Sequence, residues 1–185
     1  MKFLYNLTLV SLVLFLATSC KDDPEPVNPE EIITTLNLYL TPDGGGSDVT
    51  FTFQDLDGDG ANAPVITNGT LAANTNYTAR VEFLNESEDP AEDITEEVKE
   101  EDLDHQVFYQ VAAGLNLQIA YNDQDSAGNP LGVATTAAAG DASTGTLTIT
   151  LRHEPDKAAS GVADGDISNA GGESDIEVTF DVTIQ

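Results

Sequence analysis

From residue 32 onward, apolar side chains fall on every second position in one stretch after another, the period of a β-strand with one covered and one wetted face. Ile32, Leu36, Leu38 and Leu40 share a face opposite Thr35, Asn37 and Tyr39, and the turn residues Pro42 to Gly46 follow. Val49, Phe51 and Phe53 form the next row, then Tyr77, Ala79, Val81 and Phe83, then Val107, Tyr109 and Val111. Leu115, Leu117, Ile119 and Tyr121 continue it, and Leu147, Ile149 and Leu151 alternate with Thr146, Thr148 and Thr150. The last row is Ile176, Val178, Phe180, Val182 and Ile184, opposite Glu177, Thr179, Asp181 and Thr183. Such clean alternation belongs to antiparallel sheets wetted on one side. Seven strands of this kind predict an all-β fold, an antiparallel β-sandwich of immunoglobulin-like architecture, over residues 32–185. One short acidic helix interrupts the pattern. Asp89-Pro90-Ala91-Glu92 fits an N-cap, proline at the first helical position and Glu at the third, with Ala91, Ile94 and Val98 on one stripe.

Charge narrows the function classes. The chain of 185 residues carries 6 Lys+Arg against 33 Asp+Glu, a formal net charge of −27. Generic nucleic-acid binding needs clustered basic residues and is excluded, and the same charge argues against docking on anionic lipid. One Cys and two His leave no disulfide framework and no zinc finger. Residues 86–104 alone hold eleven acidic side chains and one Lys, which suits a solvated surface helix or a face for cations or a basic partner.

Residues 1–19 read as a signal peptide: Lys2 gives the positive start, and Leu7 to Leu16 form an apolar stretch too short to span a bilayer. Ala17-Thr18-Ser19-Cys20 places small residues directly before the only Cys. This resembles a bacterial lipobox, which implies cleavage and lipidation at Cys20 and a stable lipid anchor in the outer membrane. Lys21-Asp22-Asp23 then resembles the export signal of surface lipoproteins in the Bacteroidota, which implies display on the cell exterior. Residues 20–31 thus read as a lipidated Cys followed by an acidic, proline-rich tether.

Three groups of residues are candidate sites. Asp55, Asp57 and Asp59, with Gly58, Gly60 and Asn62, resemble the opening of a calcium loop, in which glycines let the backbone curl and carboxylates converge on the ion. Ile66 stands where an EF-hand has its Glu, so any calcium here takes ligands from elsewhere, and a plain acidic turn is the alternative. A second oxygen-rich stretch comprises Asp164, Asp166, Asn169, Glu173 and Asp175, able to supply those ligands or to have no role. The only histidines, His105 and His153, lie at strand ends and share parity with Val107 and Leu151, so they can meet at one rim. Asp102, Asp104 and Glu154 flank them, and His105, His153 and Glu154 together would suit a transition metal; two structural histidines are the alternative. No GxSxG, HExxH or phosphate loop is present, so no enzyme activity and no catalytic residue is expected. Asp125-Ser126-Ala127 is similar to the Bacteroidota O-glycosylation motif.

DLDGDGANAPVITNGTLAANTNYT, LNESEDPAEDITEE, HQVFY, LRHEP and GGESDIEVTFDVTI together resemble a group of short Bacteroidota surface lipoproteins labelled "type 1 periplasmic binding fold superfamily protein", often near TonB-dependent receptors. The resemblance implies the envelope location and a TonB-dependent receptor as partner. The label's two-lobed α/β fold is much longer than this chain, and the alternating strands predict a sandwich instead. The expected function is a non-catalytic binding module that captures a metal or small ligand for a transporter. A calcium-stabilised structural or adhesion domain is the alternative.

Overall fold

The structure is a computed structural model, described over residues 32–58 and 60–185. The signal sequence, Cys20, the tether and Asp59 lie outside the described residues. Among the described residues, eleven strands form two sheets. The first has the order β3-β2-β1-β5-β9-β8, with β6 also paired to β5. Its long members are β1 (Thr35–Pro42), β2 (Val49–Gln54) and β5 (Thr75–Asn85). Its shorter ones are β3 (Val65–Thr67), β6 (Glu92–Asp93), β8 (Leu117–Tyr121) and β9 (Ala134–Ala139). The second sheet runs β4-β11-β10-β7, from β4 (Thr70–Leu71), β7 (His105–Val111), β10 (Ser143–His153) and β11 (Glu173–Ile184). All pairings are antiparallel except that of β4 with β11.

The inward rows expected from the alternation make the core. Leu36, Leu38, Leu40, Phe51, Val81 and Phe83 from the first sheet join Leu147, Ile149, Leu151, Phe180, Val182 and Ile184 from the second in one buried cluster. Phe51 and Phe180 meet edge to face across the two layers, ring centroids 5.6 Å apart. That geometry suits the ring quadrupoles and adds to the area both rings bury.

The expected antiparallel sandwich is the observed fold, with one α-helix among the described residues and differences of detail. β9 (ATTAAA) has no large apolar residue to mark it, yet it bonds β5 on one side and β8 on the other. The partners, rather than its own propensity, make it a strand. The helix, α1 (Ile94–Glu100), starts later than Asp89-Pro90 suggested, because Glu92 and Asp93 pair with β5. Asp93 then caps it by accepting the Thr95 N–H at 3.0 Å, and Ile94, Thr95 and Val98 are buried. β7 departs from alternation: Gln106 and Phe108 are buried as fully as Val107. Two single-turn 3-10 helices, Val162–Asp164 and Ile167–Asn169, supply the reason. Phe108 packs with Val162 and Ala170 in a second small cluster on the outer face, and Gln106 donates to the Val162 carbonyl at 3.1 Å.

Phe180 is fully buried at the contact of the two sheets. Phe180→Ala is expected to lower the unfolding free energy by about 3–5 kcal/mol, measured by denaturant melts at unchanged slope.

Candidate metal centre

The site forms where three neighbouring strands end. β10 pairs with β7 so that His153 stands opposite His105. The two imidazoles lie edge to face, centroids 4.7 Å apart. The carboxylate comes from β11, through an irregularity in the ladder. Leu151 pairs with Ile176 and Arg152 with Ser174, so Asp175 is left over as a bulge. Strict alternation would turn Asp175 outward with Glu177, Thr179 and Asp181, all exposed. A bulge re-aims one side chain, and the Asp175 side chain is only 6% exposed. Just before it, Gly172 takes a positive φ of 65° and passes so close to His153 that a Cβ there would lie 2.1 Å from the His153 carbonyl oxygen. Only glycine fits that approach.

Asp175 Oδ2 lies 3.8 Å from His105 Nε2, and its Oδ1 lies 3.9 Å from His153 Nδ1. One ligand atom from each of the three residues falls within 4.8 Å of the others. These nitrogen–oxygen distances exceed those of hydrogen bonds. An ion held at about 2.0–2.2 Å from each donor needs donors roughly 3.0–3.5 Å apart. Side-chain rotations that draw the three donors inward by about an ångström would close that difference, and the donor types suit a metal ion. His105 is also oriented for it. Its Nδ1 lies 3.2 Å from the Glu101 carbonyl oxygen. A carbonyl only accepts, so Nδ1 carries a proton, and Nε2 is the ring nitrogen that faces Asp175.

The turn that delivers His105 is itself held. Lys157 is buried and donates from Nζ to the Asp102 carbonyl at 2.5 Å and to Asp125 Oδ2 at 2.9 Å. The Asp102 carboxylate accepts from the Ser126 N–H and hydroxyl. Burial pushes the Asp125 carboxyl up, but hydrogen bonds from Lys157 and Asn129 outweigh it and hold the group below the usual carboxylate range. Where β10 leaves the sheet, the Glu154 N–H bonds the Asp104 carbonyl at 2.6 Å.

Of the sequence candidates, the structure joins His105 to His153 but gives them Asp175 rather than Glu154. Glu154 sits exposed in a left-handed turn (φ 49°), outside the three-residue group. Asp175 was expected in the oxygen-rich stretch with Asp164 and Asp166, but that stretch serves other ends. Asp166 caps the second 3-10 helix through Ser168, and Asn169 donates to the Ser160 carbonyl. In the calcium candidate, Asp57 accepts from the Asn62 N–H at 3.3 Å and from its side-chain amide at 2.8 Å, closing the turn on itself. Asp55 lies at the base of that turn, and Asp59 is outside the described residues. Among the described residues, no cluster of potential metal ligands forms around Asp55 and Asp57. Ser126 of the Asp125-Ser126-Ala127 motif is exposed and bonded to Asp102.

Compared with protein families, with curated proteins and with solved structures, the chain matches none.

Because the folded-state Asp125 carboxyl is held low, its contribution to stability is full above the ordinary carboxylate pKa and is lost as pH falls through the folded value. Lys157→Met leaves a buried carboxylate unpaired and is expected to cost about 3–5 kcal/mol at neutral pH. It should also flatten the acid limb of the stability profile, read by denaturant melts from pH 7 downward.

Proposed function

We propose that this protein is a non-catalytic binding module of the bacterial envelope, lipid-anchored through Cys20, whose ligand is a divalent transition-metal ion at His105, His153 and Asp175. The observation that carries the metal half is the meeting of the only two histidines with a re-aimed, nearly buried carboxylate, one ligand atom of each lying within 4.8 Å of the others. Two imidazoles and one carboxylate form a borderline-soft donor set, suited to zinc, iron or copper rather than calcium or magnesium. Three protein donors leave coordination positions open, so the ion can be exchanged. Exchange suits capture and transfer, and a TonB-dependent receptor is the partner that would take the ion onward. The envelope half rests on Ala17 to Asp23, where a lipobox-like stretch precedes a lysine and two acidic residues.

The test is thermal melting of chelator-stripped protein. At a hundredfold excess over Kd, zinc should stabilise the native state by about 2.7 kcal/mol, raising Tm by about 5–10 °C. His105→Ala and Asp175→Asn should lose that response. A shift retained in both variants, or matched by sodium at equal ionic strength, would be screening of the acidic surface and would overturn the proposal. A calcium-specific rise that survives His105→Ala would instead favour the structural reading through Asp55 and Asp57. On cells, Cys20→Ala should move the protein out of the membrane fraction; unchanged fractionation would remove the anchor.

A further inference from the structure

We propose that the open corner of the first sheet, beside Asp55, is a docking surface for an extended, basic segment of a partner protein, which adds a strand to β3 and places an arginine or lysine side chain in the adjoining cleft. The surface uses none of the three residues of the metal group and stands or falls separately from it. Among the described residues, five large apolar side chains are left exposed, and four of them belong to this corner: Ile32, Leu56, Val65 and Ile66. Strand pairing sets Phe53 of β2 opposite Ile66 of β3, and Gln54 opposite Val65. Phe53 also lines a cleft of about 320 Å³, together with Ile32, Leu56 and Ile176. The exposed strand and the cleft are therefore one continuous surface. Apolar side chains gathered in this way mark an interaction site, where scattered ones do not.

Two features define the occupant. The first is the strand edge. β3 pairs with β2 on one side, and among the described residues no strand pairs with its other side. An open edge presents a series of backbone N–H and C=O groups, which an extended polypeptide is built to pair. The second is charge. Asp55 and Asp57 lie in the cleft with the apolar residues. Asp57 Oδ2 accepts from Asn62, whereas Asp55 Oδ1 is buried and, among the described residues, has no hydrogen-bond partner. The Asp55 N–H donates to the Thr34 carbonyl at 2.7 Å, which fixes the residue in place. A carboxylate oxygen withdrawn from water is costly until a donor reaches it. Arginine and lysine carry a cationic donor on an aliphatic stem, so one such side chain matches both the apolar wall and the carboxylate. The cleft is at the small end of the range for ligand sites, which suits a single side chain. Other occupants match poorly. A second copy brings another net charge of −27, and the chain's own residues 21–31 hold five acidic side chains and one Lys. Like charge against Asp55 and Asp57 disfavours both.

The test follows the amide signals of nitrogen-15-labelled protein by NMR as a blocked peptide of sequence Val-Arg-Val-Arg-Val is added. Saturable shifts centred on Leu56, Val65, Ile66 and Thr67 are expected. Citrulline in place of arginine keeps the stem and removes the charge, and should weaken binding at least about tenfold; Asp55→Asn should do the same. Leu103→Ser, at the exposed apolar residue outside this corner, should leave binding unchanged. No saturable binding, equal binding of the citrulline peptide, or shifts spread evenly over the acidic surface would overturn the proposal. Should Asp55→Asn fail to fold, the citrulline comparison makes the same test on the wild type. A dimer seen by sedimentation without peptide and lost in Ile66→Lys would give the corner to a second copy. Shifts at Val65 and Ile66 on removal of residues 21–31 would give it to the tether. Either result would also overturn the proposal.

Discussion

The pairing of β10 with a strand on each side is the constraint on which the rest of the structure depends. Its eleven residues bond β11 along one edge and β7 along the other. Its inward row, Leu147, Ile149 and Leu151, fixes the register of both partners, because a slip of one residue would turn that row to water. His153 continues the row at the strand's end, and the same register sets it opposite His105. The core and the candidate metal centre are thus specified together. Apolar burial holds the ladder, and the ladder holds the histidines.

Much of this was legible in the sequence, and what was not has a physical reason. The inward rows of β1, β2, β5, β10 and β11 were readable, because burial of one face enforces a period of two. The meeting of His105 with His153 was readable for the same reason, since parity and strand-end position limit where each can go. Asp175 was a candidate ligand, but its place beside the histidines was hidden because a bulge breaks parity, and the ladder mismatch at Leu151/Arg152 exists only once β10 and β11 are paired. Gly171-Gly172, two residues upstream of Ser174, was the available signal, since paired glycines beside a strand mark a tight backbone approach. β9 was hidden because its alanines and threonines carry no pattern of their own.

The acidic composition gives the centre its setting. A chain with net charge −27 draws cations toward its whole surface, which favours encounter without giving selectivity. Selectivity has to come from donors that sodium, magnesium and calcium do not favour, and imidazole is such a donor. The protein has two, and the strand register spends both at one point. The bulge at Asp175, the close passage of Gly172 and the Lys157 anchor under the 101–104 turn all serve to place side chains around that pair.

The central claim is that one ion sits between these strand ends. Anomalous diffraction at the zinc absorption edge, from crystals of zinc-loaded protein, tests it most directly. The account predicts one strong peak at about 2.0–2.2 Å from His105 Nε2, His153 Nδ1 and an Asp175 oxygen. A site with no peak there, or with its only peak in the 55–62 loop, would contradict it.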